Sequence, residues 1–398
     1  MLTSLSLIFL VGLSMAFICR KIKLPRIIGM LITGIVLGPF VLDFLGSQIL
    51  GISSELRQMA LIIILIKAGL SLNISDLKKV GRPAILMSFL PALFEIGAFI
   101  LLAPLLLHIT ILEAAIMGAV LGAVSPAVVV PRMVQLMDEN YGTDKQIPQL
   151  ILAGASLDDV FVIVLFSSFI AIEQGTGISV ISFASIPLKI IFGILVGILA
   201  GFVLSIVFNT MFTHNFKVRN SLKVIIMLGT SFILIAIETW LGDYVPVSGL
   251  LAVMSMACTV RVKCPSNVSS LLSVKFGRLW LAAELVLFVL VGASVDIQYS
   301  LHSGWSVIIM LFIGLIMRSV GTAFCLLGTQ LNLKERLFCV VSYIPKATVQ
   351  AAIGGVPLAL GLNCGNIVLT VAVVSIIITA PLGALAIDLT SKSLLFPE

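Results

Sequence analysis

The chain has 398 residues, of which 60% are hydrophobic and only 11% are charged. A soluble globular protein cannot bury so large an apolar fraction, so this composition excludes a soluble enzyme and a soluble binding module. The formal net charge of +6 comes from basic residues grouped in alternate connecting segments. That grouping indicates membrane topology and argues against a nucleic-acid partner.

Apolar stretches long enough to cross the roughly 30 Å hydrocarbon core of a bilayer follow one another along the whole chain. They predict an all-α polytopic membrane protein, a single domain over residues 1–398 embedded in the lipid bilayer. We predict about thirteen transmembrane helices, at residues 4–18, 27–46, 56–74, 83–107, 112–134, 147–172, 180–212, 221–241, 246–261, 279–298, 304–329, 335–359 and 366–389.

The segments that connect these spans alternate in charge. If the amino terminus lies outside, most of the 24 lysines and arginines fall in cytoplasmic segments, and the outer loops hold only Arg57. This excess of inner positive charge predicts a cytoplasmic carboxyl terminus. We expect the protein in a plasma or inner cell membrane. The first apolar run has no basic residue before it, so we predict a retained span and not a cleaved signal peptide.

The fourth and fifth spans carry unusual residues for a lipid environment. Span 4 holds Glu95, a lone charge in an apolar run. Span 5 reads AVLGAVSPAVVVPR (119–132), and Pro126 lies deep within it, where proline must break the hydrogen-bond ladder of a helix. Carbonyls freed at such a break, together with the hydroxyl of Ser125, are candidate oxygen ligands for a small cation.

Span 6 places two adjacent carboxylates, Asp158 and Asp159, in the membrane. Each buried charge costs about 2.5–3.5 kcal/mol on insertion scales, and intramembrane acids usually mark an ion or proton pathway. Adjacent helical residues point about 100° apart, so we predict one role for each. Because a proton or a small cation can neutralise a carboxylate, competition for one site is an exchange mechanism. Ser156 is a further candidate oxygen ligand.

Spans 11 and 12 repeat the features of spans 4 and 5. Span 11 holds the lone charge Arg318, and span 12 reads SYIPKATVQAAIGGVP (342–357), with Lys346 directly after a proline. We place Lys346 as a counter-charge for negative half-helix ends. Thr348 is another candidate ion ligand. For Glu95 and Arg318, a structural ion pair between the two halves and a role in proton exchange both remain open.

The matching spans are seven apart, and an odd offset reverses direction across the membrane. The sequence therefore predicts an inverted repeat with two broken crossing helices, an architecture typical of secondary transporters. The lone charges and the break residues lie about 10–15 residues into their spans, or roughly 15–22 Å, near the bilayer centre. They are Glu95, Pro126, Asp158, Arg318 and Lys346.

Glu284, Lys67 and Asp388 lie nearer the cytoplasmic ends of their spans, where surface pairing is favoured. The six cysteines show no metal or disulfide spacing, and we predict no cofactor.

Four motifs in order give the sequence a family resemblance. They are LGAVSPAVVVPRM (121–133), GASLDD (154–159), LNLKERLFCVVSYIPKATVQAAIGG (331–355) and ITAPLGALAI (378–387). With them the chain resembles the monovalent cation:proton antiporter superfamily, its paired-aspartate branch and within it the NHA subgroup. The resemblance implies an antiporter that exchanges Na⁺ or Li⁺ for H⁺ in pH and salt homeostasis.

The resemblance also implies an organisation and a division of roles. It implies a homodimer with scaffold helices at about 1–74 and 221–298, a linker helix at about 180–212, and a mobile core at about 83–172 and 304–389. It assigns the main cation and proton site to Asp159, supported by Asp158. Many paired-aspartate relatives have a lysine on span 11, paired with the first aspartate, where this chain has Arg318. Since arginine stays protonated, we expect electroneutral or weakly electrogenic exchange.

Four other functions fit parts of the pattern. K⁺/H⁺ antiport differs only in the cation, which the sequence does not rank. A cation channel would share broken helices but lacks a repeated filter motif here. A Na⁺-coupled or organic-anion symporter of related fold would not need the Asp pair. An intramembrane aspartyl protease needs aspartates from two different helices, so we predict that the chain is not an enzyme.

Overall fold

The computed structural model describes residues 1–22, 24–71, 81–176, 180–213, 220–241, 245, 247–296 and 304–396. Within these ranges the secondary structure is helical and includes no strand. Nine helical stretches in the described ranges, two of which include an interruption (82–107 and 111–138), are long and apolar enough to cross a membrane. The prediction of an all-α polytopic membrane protein is confirmed.

The helices follow the predicted spans in order. They are α1 (Leu2–Lys21), α2 (Arg26–Leu37), α3 (Ser47–Gly51), α4 (Ser53–Ser71), α5 (Arg82–Met87), α6 (Leu90–Leu107), α7 (Ile111–Leu121), α8 (Pro126–Asp138), α9 (Ile147–Ala171), α10 (Val180–Thr213), α11 (Asn220–Leu241), α12 (Gly249–Lys263), α13 (Ser266–Ala293), α14 (Gly304–Cys325), α15 (Leu333–Ser342), α16 (Thr348–Ile353), α17 (Val356–Ala359) and α18 (Gly365–Leu394). Most predicted spans fall on one helix or on an interrupted set of helices within the described part of the chain. The prediction of a span at 27–46 is too long, because α2 ends at Leu37 and Gly38 follows as its cap.

Both predicted breaks are present. Helix α7 ends at Leu121 and α8 begins at Pro126. Proline is accepted at the first position of α8 because the amide it lacks would have no helical partner there. In the second repeat, α15 ends at Ser342 and α16 begins at Thr348. The predicted break positions are therefore confirmed in both half-chains.

Matched caps begin the two broken spans. At α7, Thr110 Oγ1 accepts from the Glu113 N–H, and Glu113 Oε2 accepts from the Thr110 N–H. At α15, Asn332 and Glu335 make the same reciprocal pair. Each pair satisfies two amide donors that a helix start leaves free. The second broken span thus begins with the same type of capping box as the first.

The described chain divides into two compact units. One comprises residues 1–57, 73–170 and 285–398, and the other comprises 58–72 and 171–284. In the first unit α6 packs on α14 and α7, α15 packs on α18, and α1 packs on α2. The assignment of scaffold, linker and mobile core concerns motion, and it stays a prediction.

Close backbone packing joins α10 and α12 within the second unit. Gly193, Gly197 and Gly201 lie four residues apart on one face of α10. A Cβ at Gly197 or Gly201 would overlap a backbone oxygen of α12, that of Ala252 or Met256, respectively. A Cβ at Gly193 would overlap the backbone oxygen of Ser248, the residue that caps α12. Small residues at this spacing let membrane helices approach closely where hydrophobic burial cannot drive association.

Candidate functional site

The two broken spans lie against each other in the first unit. The backbone N–H of Ser125, just before α8, donates to Pro345 O at 2.8 Å. Gln350 on α16 donates from Nε2 to Ala123 O at 2.8 Å. These contacts satisfy polar groups that the breaks release, which a lipid environment could not do. The crossing predicted for the two interrupted helices is therefore present.

Asp158 joins α9 to the first break. Its side chain is fully buried, and Oδ2 accepts a hydrogen bond of 2.8 Å from the backbone N–H of Val124. The same oxygen lies 2.7 Å from Nη2 of Arg318. Oδ1 has no hydrogen-bond partner among the described residues. One carboxylate oxygen is thus fixed by two donors, and the other has no hydrogen-bond partner among the described residues.

Arg318, on α14, connects three other elements. Its Nε donates to Tyr343 O at 2.7 Å, and Nη1 donates to Gly122 O and to Glu95 Oε2, the latter at 3.2 Å. With Nη2 on Asp158, the guanidinium uses its planar fork to hold both breaks at once. Lysine has one nitrogen and could not make this set of contacts.

Glu95 forms ion pairs with two basic residues. Its Oε2 lies 3.2 Å from Arg318 Nη1, and its Oε1 lies 2.7 Å from Lys346 Nζ. Lys346 also donates from Nζ to Leu121 O, the last carbonyl of α7. The predicted Glu95–Arg318 pair is confirmed, and so is the predicted position of Lys346 at a negative helix end. The pairing of Lys346 with Glu95 is an addition that sequence reasoning missed.

The four paired residues balance in charge. Two acids, Glu95 and Asp158, face two bases, Arg318 and Lys346. Asp159 is the fifth ionisable group, about 9% exposed, and it forms no ion pair among the described residues. A buried carboxylate without a counter-ion is costly unless something neutralises it. Asp159 is thus the carboxylate at which one positive charge would balance the site.

Two of the predicted oxygen ligands are available. Ser125 Oγ and Thr348 Oγ1 are buried and have no hydrogen-bond partner among the described residues. They flank the two breaks, at the starts of α8 and α16. The side chain of the third predicted ligand, Ser156, lies outside the described part of the chain. The described residues contain no group of three or more His, Cys, Asp or Glu that could hold a metal ion.

Sequence reasoning missed three supporting residues. Thr379 Oγ1, on α18, accepts from the backbone N–H of Lys346 at 3.0 Å, and Gln350 spans the crossing. Tyr343 lies under the Arg318 guanidinium, whose carbon is 5.6 Å from the ring centroid. The tyrosine hydroxyl also occupies the space beside Gly154, one turn before Asp158, so that a Cβ there would overlap it. All three are neutral residues, so their residue type alone does not indicate a role in an ion site. Their position in or beside the proline-containing motifs is the one feature of the sequence that points to them.

A second polar cluster lies at the ends of α8 and α18. Arg132 forms a two-point ion pair with Asp388 at 2.7 and 3.0 Å, and Glu139 lies 3.4 Å from Lys392. These residues line a cavity of about 430 Å³. The expected surface pairing of Asp388 is confirmed.

Comparison with known proteins gives consistent results over nearly the whole chain. The model of the sodium/hydrogen exchanger transmembrane family matches residues 5–391. The chain is 34% identical to human sodium/hydrogen exchanger 9B2, over 94% of this chain and 70% of the relative. It is 32% identical to mouse sodium/hydrogen exchanger 9B1, over 94% and 66% of the two chains.

Solved structures share the fold. The structure of the sodium proton antiporter MjNhaP1 from Methanocaldococcus jannaschii at pH 8 aligns with a TM-score of 0.82. The alignment covers 98% of this chain and 97% of that one, at 20% identity. An electron-microscopy map of the same antiporter gives a TM-score of 0.74.

Proposed function

Since this chain belongs to the sodium/hydrogen exchanger family, we propose that it is a membrane antiporter exchanging Na⁺ or Li⁺ for H⁺ at Asp159. The observation that carries the assignment to Asp159 is the charge balance of the buried cluster. Glu95 and Asp158 are paired with Arg318 and Lys346, whereas Asp159 has no ion-pair partner among the described residues. One monovalent cation or one proton neutralises it.

This balance supplies a reason for coupling. With Asp159 charged and empty, the site carries one net negative charge, and moving it through a low-dielectric barrier is costly. With Na⁺ or with H⁺ bound, the site is neutral. Movement between the two sides is therefore permitted in the loaded states, and the two gradients become coupled through alternating access.

The same groups explain why a small hard cation would bind. Such ions prefer oxygen ligands, and Asp158 Oδ1, Ser125 Oγ and Thr348 Oγ1 are buried oxygens without partners among the described residues. Asp158 supports the site because its other oxygen is fixed by Arg318 and Val124. We assign the primary ion contact to Asp159 and the secondary contacts to these three oxygens.

The charge pattern also supports one-for-one exchange. Arg318 stays protonated at any accessible pH, and its ion pair favours the charged form of Asp158. Asp159 is then the group that alternates between cation and proton. Each transported Na⁺ replaces one H⁺, and exchange is electroneutral.

The proposal includes the setting of the protein. We place it in a plasma or inner cell membrane with its amino terminus outside and its carboxyl terminus in the cytoplasm, and we propose a homodimer with the scaffold and core division given above. It performs transport and is not an enzyme, since both aspartates lie on α9 and a proteolytic pair must come from two helices.

The direct test is a pH-dequenching assay in proteoliposomes that contain the purified chain, with Na⁺, Li⁺ and K⁺ added in turn. We expect Na⁺ and Li⁺ to release the imposed pH gradient in the wild type and to have no effect in Asp159→Asn. A response to K⁺ alone would replace this proposal with K⁺/H⁺ antiport. A full Na⁺ response in Asp159→Asn would remove Asp159 from the site.

A further inference from the structure

Arg57 differs from the other lysines and arginines in the side of the membrane on which it is predicted to lie. It is the one lysine or arginine that the charge alternation places on the outer side, and it belongs to the first turns of α4. Its side chain is buried, with 8% exposed. Outer basic residues that serve only as solubilising charge lie in water, so burial of this one calls for a partner.

The described residues do not provide that partner. Nε of Arg57 donates to Ser53 O at 3.3 Å, whereas Nη1 is buried and has no hydrogen-bond partner among the described residues. No carboxylate in the described ranges lies within ion-pair distance of it. The nearby Glu55 is exposed, and its Oε2 accepts a hydrogen bond from Ser54 at 2.7 Å.

A second unpartnered donor lies on the same helix. Ser53 Oγ is buried, 6% of the residue being exposed, and it too has no hydrogen-bond partner in the described part of the chain. Ser53 and Arg57 are four residues apart, so they share one face of α4. A guanidinium and a hydroxyl together form a donor set that suits an anion and repels Na⁺.

The guanidinium also lies against the second broken span. Gly355 joins α16 to α17, and a Cβ at this position would overlap Arg57 Nη1. The absence of a side chain at Gly355 is what makes room for the guanidinium. A counter-ion for Arg57 would therefore lie near Gly355, between α16 and α17. The same span also holds Lys346 and Thr348.

From these contacts we propose that Arg57 Nη1 and Ser53 Oγ form a binding site for a small monovalent anion of the halide class, next to Gly355. An isolated buried guanidinium is destabilising, and charge-assisted hydrogen bonds to one anion offset that cost. By holding the Arg57 guanidinium in place, the anion would stabilise the packing of α4 against the connection between α16 and α17. It is bound and is not transported, and the site is separate from Asp159.

The test uses the full-length purified chain and measures binding without transport. Thermal unfolding is followed in NaCl and in sodium gluconate at equal Na⁺ concentration and ionic strength. We expect Tm to rise with the logarithm of the chloride concentration, by roughly 2–4 °C at about ten times Kd. The rise should disappear in Arg57→Gln and shrink in Ser53→Ala. Arg20→Gln, which removes an exposed arginine, is the matched control and should keep the full rise.

Two further measurements keep the proposal falsifiable if Arg57→Gln fails to fold. Line broadening of ³⁵Cl on the wild-type chain should be reversed by bromide, and Gly355→Ala should weaken that broadening by displacing the guanidinium. Equal Tm values for the wild type in chloride and gluconate would overturn the proposal. A response to inorganic phosphate but not to chloride would overturn the halide assignment. Both anion measurements are made without transport, so they do not depend on whether Asp159→Asn loses Na⁺/H⁺ exchange. The proposal of an anion site and the proposal of exchange at Asp159 can therefore fail independently.

Discussion

Arg318 Nη2 donates to Asp158 Oδ2 at 2.7 Å, and the adjacent Asp159 has no such partner among the described residues. Two neighbouring carboxylates on one helix therefore differ in what surrounds them. Asp158 is fixed between a guanidinium and the Val124 amide, and Asp159 is left to be neutralised by an ion. Their substitutions should differ in the same way.

Asp158→Asn should destabilise the protein, and Asp159→Asn should not. The first change leaves Arg318 with one carboxylate fewer, and breaking a buried ion pair costs about 3–5 kcal/mol. The second removes an unpaired buried charge. Thermal unfolding of both variants in the same detergent checks this, with a lowered Tm expected for Asp158→Asn only. A larger loss of Tm in Asp159→Asn would show that the pairing has been assigned to the wrong residue.

Glu95→Gln should destabilise the protein by leaving Arg318 and Lys346 with one negative charge between them. Lys346→Gln should also destabilise, because Glu95 loses its 2.7 Å partner. The double variant Glu95→Gln/Lys346→Gln restores neutrality, so its loss should be smaller than the sum of the two single losses. Thermal or denaturant unfolding of all four chains gives the coupling, which is about 0.5–3 kcal/mol for residues in contact. Additive losses would show that the pair is not coupled.

Gly154→Ala should lower both stability and exchange, because its Cβ would overlap the Tyr343 hydroxyl. Overpacking at a buried position costs about 1–3 kcal/mol. The matched control is Gly97→Ala on α6, where a Cβ meets nothing within 4 Å. In a helix that control should be neutral or slightly stabilising. Equal Tm values for the two variants would contradict the packing of Tyr343 against α9.

Arg132→Gln should change stability little. Its ion pair with Asp388 is partly exposed, with side-chain exposures of 24% and 53%, and exposed pairs contribute about 0.2–1 kcal/mol. We expect a small loss of Tm that disappears in high salt, where the pair in the native protein is screened. A loss as large as that of Glu95→Gln would show that this cluster acts with the buried one.

The order of the spans and the breaks at Pro126 and Pro345 could be predicted because local rules decide them. Apolar length sets a span, and proline removes a helical hydrogen bond whatever surrounds it. The inverted offset then places Glu95 and Arg318 at equivalent positions in the two repeats. Those features depend on sequence distance alone.

The remaining contacts could not be predicted, because they depend on side-chain reach across elements. Arg318 was expected to pair with Glu95, yet its fork also reaches Asp158, Gly122 O and Tyr343 O. The charge pattern places Arg57 on the outer side, whereas the structure places it in α4 with its side chain buried. Burial of a charged side chain is decided by the tertiary neighbours, and the apolar pattern of a single helix does not encode it.

The most direct test of one-for-one exchange at Asp159 is the reversal potential in proteoliposomes that contain the wild-type chain. Na⁺ and pH gradients are set in opposition, and the membrane voltage is varied with a K⁺ gradient and valinomycin. We predict that net proton movement stops when the Na⁺ and H⁺ concentration ratios are equal, at every voltage. A balance point that shifts with voltage, as two protons per Na⁺ require, would contradict the account.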